Sequence, residues 1–528
     1  MASIVRNKVG KYTYLYESES YRDENGKPRN RKIRIGKIDP RTGETIYKPE
    51  YLERVRGTEK QPDIPCAKQF SENDVKNSSI RDFGAFYLLE SIANEIGLLD
   101  ILKSSLPSTW EKVITLAFYM VSTGEPAMYC EDWLLRSECI PCGNMSSQKI
   151  SELFSVISNE ERLTFYEKWG EMRSELEYMA LDITSISSYS EFIGDVEWGY
   201  NRDNEKLPQI NVCMIFGEKS KLPIFQTTYS GSLTDVTTLK TTLQLASGLK
   251  LDNLSLVMDK GFSRKDNVDT MLADKDGIRF LLALPKTLNF VKEQIQYTSQ
   301  TIDTLDNTLI VGNDIIRGAV RKYPWNDEHD VYAHAFLNAE LAYQERNRLF
   351  GVVKNLIAQA HINPENPKFA ADFKKYLVIR KNKNSPSGYS VKVRHDAVEK
   401  ELRYKGWMIL ISNHIDNVTM AIETYRAKDV VEKGFMKLKN CLDLGRLRVH
   451  SDHRMQSKLF VGFIALIIMA HIHKVMAETE MYEHTTLSKM IKTLERLRVQ
   501  YINGHRILYP LTAEHKAIFR AFKISHPL

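Results

Sequence analysis

Cysteine is scarce. Six residues in 528 (Cys66, Cys130, Cys139, Cys142, Cys213 and Cys441) exclude a disulfide scaffold and fit a reducing compartment. Cys139 and Cys142 have the spacing of half a zinc site, with Cys130 upstream, but no second ligand pair follows, so structural zinc is not expected. Long apolar runs are missing too. The longest, Leu459 to Ala470, is shorter than the roughly 20 residues that cross a bilayer and reads as a buried helix. The N-terminus, MASIVRNKVGKYTYLYESES, carries charges where a secretory leader would be apolar, so a cytoplasmic chain without a membrane partner is expected. There is no internal repeat, no low-complexity tract and no Gly-rich loop of the Walker type, so ATP is not expected to be needed. The net charge of +6 permits a nucleic-acid partner without requiring one. What remains is ordinary globular composition, 43% hydrophobic and 27% charged, in a length that suggests several domains of about 100–200 residues.

Patterning divides the chain into six stretches. Residues 1–80 contain a strand at Lys11–Glu17, a turn at Glu24-Asn25-Gly26-Lys27 and a basic strand at Arg31–Gly36. Such a meander suits DNA contact, or a charged edge that resists aggregation. Residues 81–176 have helical periodicity and read as a compact helical domain. In residues 177–287, an apolar run ends at Leu181-Asp182. Two strand-like runs follow, Ile210–Phe216 and Leu222–Tyr229, then a helix from Asp235 toward Ala246, a strand ending at Met258-Asp259, and another helix. Strand, strand, strand, helix, strand, helix, with acids at the ends of the first and fourth strands, is the layout of an RNase H-like domain. Residues 288–405 differ, with Thr-rich strands at Thr301–Val311, a helix-like stretch at His334–Ala358 and a basic turn at Arg380–Gly388. They read as an insertion, because core patterning resumes at Gly406-Trp407-Met408-Ile409 and continues with helices to residue 475. Residues 476–528 form a basic helical tail suited to dimerisation. The fold class is therefore α/β multidomain: an RNase H-like core interrupted by a β-rich insertion and flanked by N-terminal β/helical and C-terminal helical regions.

The chemistry concentrates in Tyr425–Lys439. On a helix, Tyr425, Lys428, Glu432 and Lys439 project within about 60° of one another. Alone, that is an ordinary charged helix face. With Asp182 and Asp259 at strand ends it supplies a third oxygen ligand, a donor set for Mg²⁺ or Mn²⁺ rather than zinc. Two such ions about 3.5–4 Å apart activate a water or a 3′-hydroxyl and stabilise the leaving oxygen.

Leu181-Asp182, Met258-Asp259-Lys260-Gly261-Phe262 and the Tyr425–Lys439 helix together resemble the DDE transposases of bacterial insertion sequences, in the branch with the signature Y-x2-R-x3-E-x6-K. Tyr425, Glu432 and Lys439 match its spacing. Lys428 stands where arginine is usual, keeping the charge and losing the bidentate fork. The resemblance covers about Tyr178 to His473. It implies Asp182, Asp259 and Glu432 as the triad holding two metal ions, and Tyr425, Lys428 and Lys439 on phosphates of the transposon end. It also implies Trp407 as a residue that stacks a displaced base, although Trp407 equally begins a strand-like core run. Arg454, with His450 and His453, follows the signature helix within reach of DNA phosphates or as support for the fold. His471 and His473 read as core histidines and Asp235 as a helix cap. The implied partners are double-stranded DNA with terminal inverted repeats, target DNA and a second copy of the chain, at the bacterial nucleoid. A metal-dependent nuclease without strand transfer, or an inactive transposase-derived DNA-binding protein, are the alternatives; the intact triad weighs against the second.

Overall fold

Alternating side chains in the first 47 residues fold into one antiparallel sheet of β1 (Ser3–Val9), β2 (Tyr12–Arg22), β3 (Pro28–Ile38) and β4 (Thr45–Tyr47), in that order. Among the described residues Leu15 and Ile35 are its buried hydrophobic side chains, while Arg29, Arg31, Lys32 and Arg34 along β3 are exposed. The first strand was not foreseen, because Ser3–Val9 shows only weak alternation. This computed structural model describes residues 3–527 apart from 11, 23–25, 40–44, 49–50, 52–73, 75, 174–177, 202, 204, 234–238, 240, 244–254, 275–276 and 386–387. Asp235, Cys66 and part of the Glu24–Lys27 turn lie outside the described residues. The contacts define two units, 1–78 and 79–528.

The second unit begins with β5 (Ser79–Asp82) and six helices: α1 (Gly84–Glu95), α2 (Leu98–Ser105), α3 (Trp110–Thr123), α4 (Cys130–Arg136), α5 (Ser147–Val156) and α6 (Asn159–Glu171). Leu88, Leu89 and Ile92 on α1 and Val113 to Val121 on α3 are buried. A reciprocal capping box between Ser158 and Glu161 starts α6.

A nine-stranded sheet follows. The strands β6 (Met179–Ser187), β7 (Gln209–Gly217) and β8 (Pro223–Ser230) form the antiparallel meander, and β9 (Ser255–Met258) lies parallel to β6. Helix α7 (Lys265–Leu272) leads to β10 (Arg279–Leu284), which is parallel to β9. Helix α8 (Asn289–Thr298) comes next, then β11 (Thr308–Val311), β12 (Asp314–Pro324) and β13 (Asp330–Leu337). These three strands do not stand apart. They extend the sheet, because β13 pairs along β16 (Trp407–Ser412), which pairs with β10, giving the order β11-β12-β13-β16-β10-β9-β6-β7-β8. Only the later part of 288–405 packs on its own centre: α9 (Ala339–Ile362), α10 (Ala370–Tyr376), β14 (Leu377–Lys381), β15 (Tyr389–Val393) and α11 (His395–Leu402) around Leu349, Val353, Phe373 and Tyr376. His334, expected in a helix, sits fully buried in β13, and its Nε2 lies 3.0 Å from the Ile415 carbonyl.

The Tyr425–Lys439 segment is not one helix. It divides at Lys428 into α12 (Val418–Ala427) and α13 (Asp429–Asn440). There the Lys428 N–H reaches the Tyr425 carbonyl at 3.2 Å, a tighter turn than an α-helix makes. Next, α14 (Asp452–Glu478) contains the Leu459–Ala470 run. It is long and apolar enough to cross a membrane, yet 78% of its most apolar window is buried inside the protein, against α3, α5, α13 and β8. A helix apolar all round is a core helix when other elements cover every face.

The C-terminal stretch is no loose tail. Helix α15 (Leu487–Glu495), strands β17 (Arg498–Ile502) and β18 (His505–Leu508), and helix α16 (Ala513–Ala521) bury Met490, Leu494, Val499 and Phe519. Strand β17 pairs with β5, Val499 opposite Arg81, and Arg498 bonds Asp82 at 2.9 Å.

Candidate active site

Parallel pairing sets two of the acids side by side. Leu181 of β6 lies opposite Met258 of β9, so Asp182 and Asp259 are the next residues along adjoining strands. β9 ends there; β6 does not. Asp182 is interior to a strand that continues, fully buried, to Ser187, a correction to its expected place at a strand end. Its Oδ1 accepts the Ile183 N–H at 2.8 Å. Asp259 Oδ1 accepts the Gly261 N–H at 2.7 Å and so caps the short turn at Lys260–Phe262.

Helix α13 brings the third acid. Asp182, Asp259 and Glu432 line one cavity of about 610 Å³, together with Lys439 and Arg446. Lys428 reaches the same acids from its seat at the helix junction. Its Nζ lies 3.7 Å from Asp182 Oδ2, a pair in which both side chains are buried, and 3.4 Å from Glu432 Oε1. The Tyr425 phenol also faces all three: burial pushes its pKa up, and the carboxylates of Asp259, Glu432 and Asp182 push it further. The phenol therefore stays protonated and able to donate.

Two acids that sequence reasoning missed share the cavity. Asp203 Oδ2 holds Lys439 Nζ at 2.6 Å, and Glu205 Oε1 holds Arg446 at 2.6 Å. Hydrogen bonds from Arg446 and then Ser187 hold the Glu205 carboxyl below the usual carboxylate range. Arg446 also bridges to Ser187 through its backbone, which fixes it beside the end of β6. The only sequence signal for these residues was charge in an aperiodic loop.

Residues 174–468, more than half of the chain, match the family described as the transposase DDE domain. The chain belongs to the DDE transposases. Enzymes of this family cleave DNA and transfer its strands. No curated protein matches. Among solved structures, the piggyBac transposase synaptic complex with hairpin DNA is similar at a TM-score of 0.33 and 10% identity, over 77% of this chain and 70% of that one. A likeness that loose carries nothing further.

DDE transposases use divalent metal ions, and the donor set here fits a hard cation. Every candidate ligand is a carboxylate oxygen, and a positive charge, the Lys428 ammonium, already sits between Asp182 and Glu432. Among the described residues, no three His, Cys, Asp or Glu side chains stand close enough together to hold one ion. The acids are partnered separately, Asp182 and Glu432 by Lys428 and Asp259 by the Gly261 N–H. Burial pushes the Cys130 thiol up to about 12 and the Cys139 thiol to about 11, with mutual repulsion among Cys130, Cys139 and Cys142 adding to it, so these thiols stay protonated at neutral pH.

The remaining candidates separate. Trp407 is 7% exposed at the start of β16 and lines a neighbouring cavity of about 320 Å³ with Tyr425, Lys428 and Glu432. The indole packs into the sheet, as the strand-like run beginning there suggested, and one part of it borders the cavity beside the acids. Arg454 lies in the first turn of α14, its N–H facing the Ser451 cap, and lines neither cavity.

Proposed function

We propose that the transposase binds the terminal inverted repeats of an insertion sequence as a homodimer, cuts double-stranded DNA there, and joins the excised end to target DNA by cut-and-paste. The observation that carries this reading is the convergence of Asp182, Asp259 and Glu432, from two parallel strands and a later helix, on one cavity rimmed by Lys439 and Arg446. The order β8-β7-β6-β9-β10, three antiparallel strands followed by two parallel ones, supports an RNase H-like core.

The chain's own residues have distinct tasks. Asp182, Asp259 and Glu432 would hold magnesium or manganese, as a pair of ions. Such ions would supply activation of water or a 3′-hydroxyl as nucleophile and charge stabilisation of the departing oxygen. Tyr425 donates a hydrogen bond from its phenol to a non-bridging phosphate oxygen, keeping the proton. Lys428 offsets the charge of Asp182 and Glu432 while the scissile phosphate approaches. Lys439 grips the phosphate on the 5′ side of the end once it leaves Asp203. Exchange of one phosphodiester for another needs no ATP.

The test uses a supercoiled plasmid carrying the element and, separately, pre-cut ends. Asp182→Asn, Asp259→Asn and Glu432→Gln are each expected to abolish cleavage and joining while leaving DNA retention in a gel shift largely intact. Unchanged cleavage in all three variants would refute the site. Hydrolysis of pre-cut ends without joined product would make the enzyme a nuclease.

A further inference from the structure

The chain's small positive surplus has an address. Residues 486–528 hold eight lysines and arginines against two glutamates; that excess of six equals the net +6 of the whole chain, so everything before Thr486 is balanced. Two of the eight are engaged: Arg498 with Asp82 at 2.9 Å, and Arg506 over the Phe83 ring at 4.4 Å. The other six, Lys489, Lys492, Arg496, Lys516, Arg520 and Lys523, are exposed, and none makes an ion pair among the described residues.

Three of the six converge. Helix α15 turns Met490, Ile491 and Leu494 inward; its outer side carries Lys489 and Lys492, and Arg496 caps its C-terminal end. With the hydroxyls of Thr486, Ser488 and Thr493, these cations line a concavity of about 290 Å³. Its one lining carboxylate is Glu514 of α16, and Lys492 also acts on the nearby Glu495 carboxyl, so the cations outnumber the carboxylates three to two. A solvated helix face would spread its cations among carboxylates; this one gathers them around a hollow that also carries the Thr486 and Ser488 hydroxyls, while the Thr493 hydroxyl donates to the Lys489 carbonyl at 3.0 Å. The lining has no aromatic ring to stack a base and no Asn or Gln to read a base edge. Its chemistry matches a phosphodiester.

We propose that Lys489, Lys492 and Arg496 form a sequence-independent seat for the phosphate backbone of duplex DNA. The seat shares no residue with the cavity at Asp182. The inference rests on the transposase reading for its ligand and adds a contact which that reading does not contain. Phosphates neutralised there release condensed counterions, so the seat contributes to the salt dependence of binding and not to the choice of sequence.

The experiment measures affinity of the full chain for two fluorescein-labelled duplexes of unrelated sequence across a salt series. Each lost contact lowers the slope of log affinity against log salt by about 0.9. The triple variant Lys489→Gln, Lys492→Gln, Arg496→Gln is therefore expected to lose up to about 2.7 of slope, equally for both duplexes. The single variant Lys492→Gln should lose about 0.9, and Lys489→Arg with Lys492→Arg nothing. A triple variant with the wild-type slope overturns the seat, as does a loss confined to one duplex. A normal slope with altered sedimentation overturns it in favour of contact with a second copy. Wild-type protein without salt-dependent DNA binding would sink the transposase reading as well. Asp182→Asn keeps the two apart: it should lose cleavage and retain the full slope.

Discussion

Lys428 has an uncommon position for a lysine: 4% exposed, at a helix junction, with carboxylates on both sides. Such charge is tolerated in the interior only when paired, and removing one partner strands the other. Lys428→Met leaves the Asp182 carboxylate buried without this cation and is expected to destabilise the fold by roughly 3–5 kcal/mol in urea denaturation. An unchanged midpoint would show that the pair contributes nothing in solution. The three acids were legible because each stands at a break in pattern: two where apolar runs stop, one on a charged helix face. Asp203, Glu205 and Arg446 were not. They come from stretches without periodicity, and their meeting at the cavity is a product of tertiary structure, with the loop after β6 folded back on Ser187.

The element that positions Glu432 depends on a missing side chain. Gly434 faces Phe216 of β7 so closely that a Cβ there would come within 2.2 Å of the ring. This lets α13 lie close on the sheet, with Val431, Phe435 and Leu438 buried and Glu432 directed at the acids. Gly434→Ala forces ring or helix to move, a change that costs about 1–3 kcal/mol in a packed core. It is expected to lower the thermal midpoint and to reduce cleavage more than DNA retention, because it displaces a carboxylate and removes no cation. Cleavage at the wild-type rate would mean that Glu432 tolerates a shifted helix. At this scale, the strands at 210–216, 222–229 and 407–413 could be read from alternation and length. The break at Lys428 could not, since the one poor helix former in Tyr425–Lys439, Gly434, lies inside α13 and not at the break.

Across the second unit, four histidines share one condition. Burial lowers the pKa values of His334, His414, His471 and His473 to about 4, with nearby cations adding to the effect for the last three. The unfolded chain takes up protons near pH 6.5 that the folded chain refuses. Stability is thus fully present above about pH 6.5 and falls as pH drops toward about 4. Calorimetry should show a thermal midpoint clearly lower at pH 5 than at pH 7.5; a flat profile would mean that these rings already admit water. Patterning found where 288–405 differs from its surroundings but could not show that β11–β13 join the main sheet, because pairing partners so distant in sequence leave no local trace. The same holds for residues 476–528, whose basic composition hid an apolar inner face.

The ladder between β5 and β17 joins residues 416 positions apart. At synthesis rates of roughly 5–20 residues per second, the first strand of this unit waits about 20–80 s on the ribosome for its neighbour. Until then α1 has no α15 to cover it, and the nascent body stays open at that seam. Translation itself therefore times the moment at which a cutting enzyme can close, and a prematurely terminated chain leaves the ribosome unable to complete its own fold.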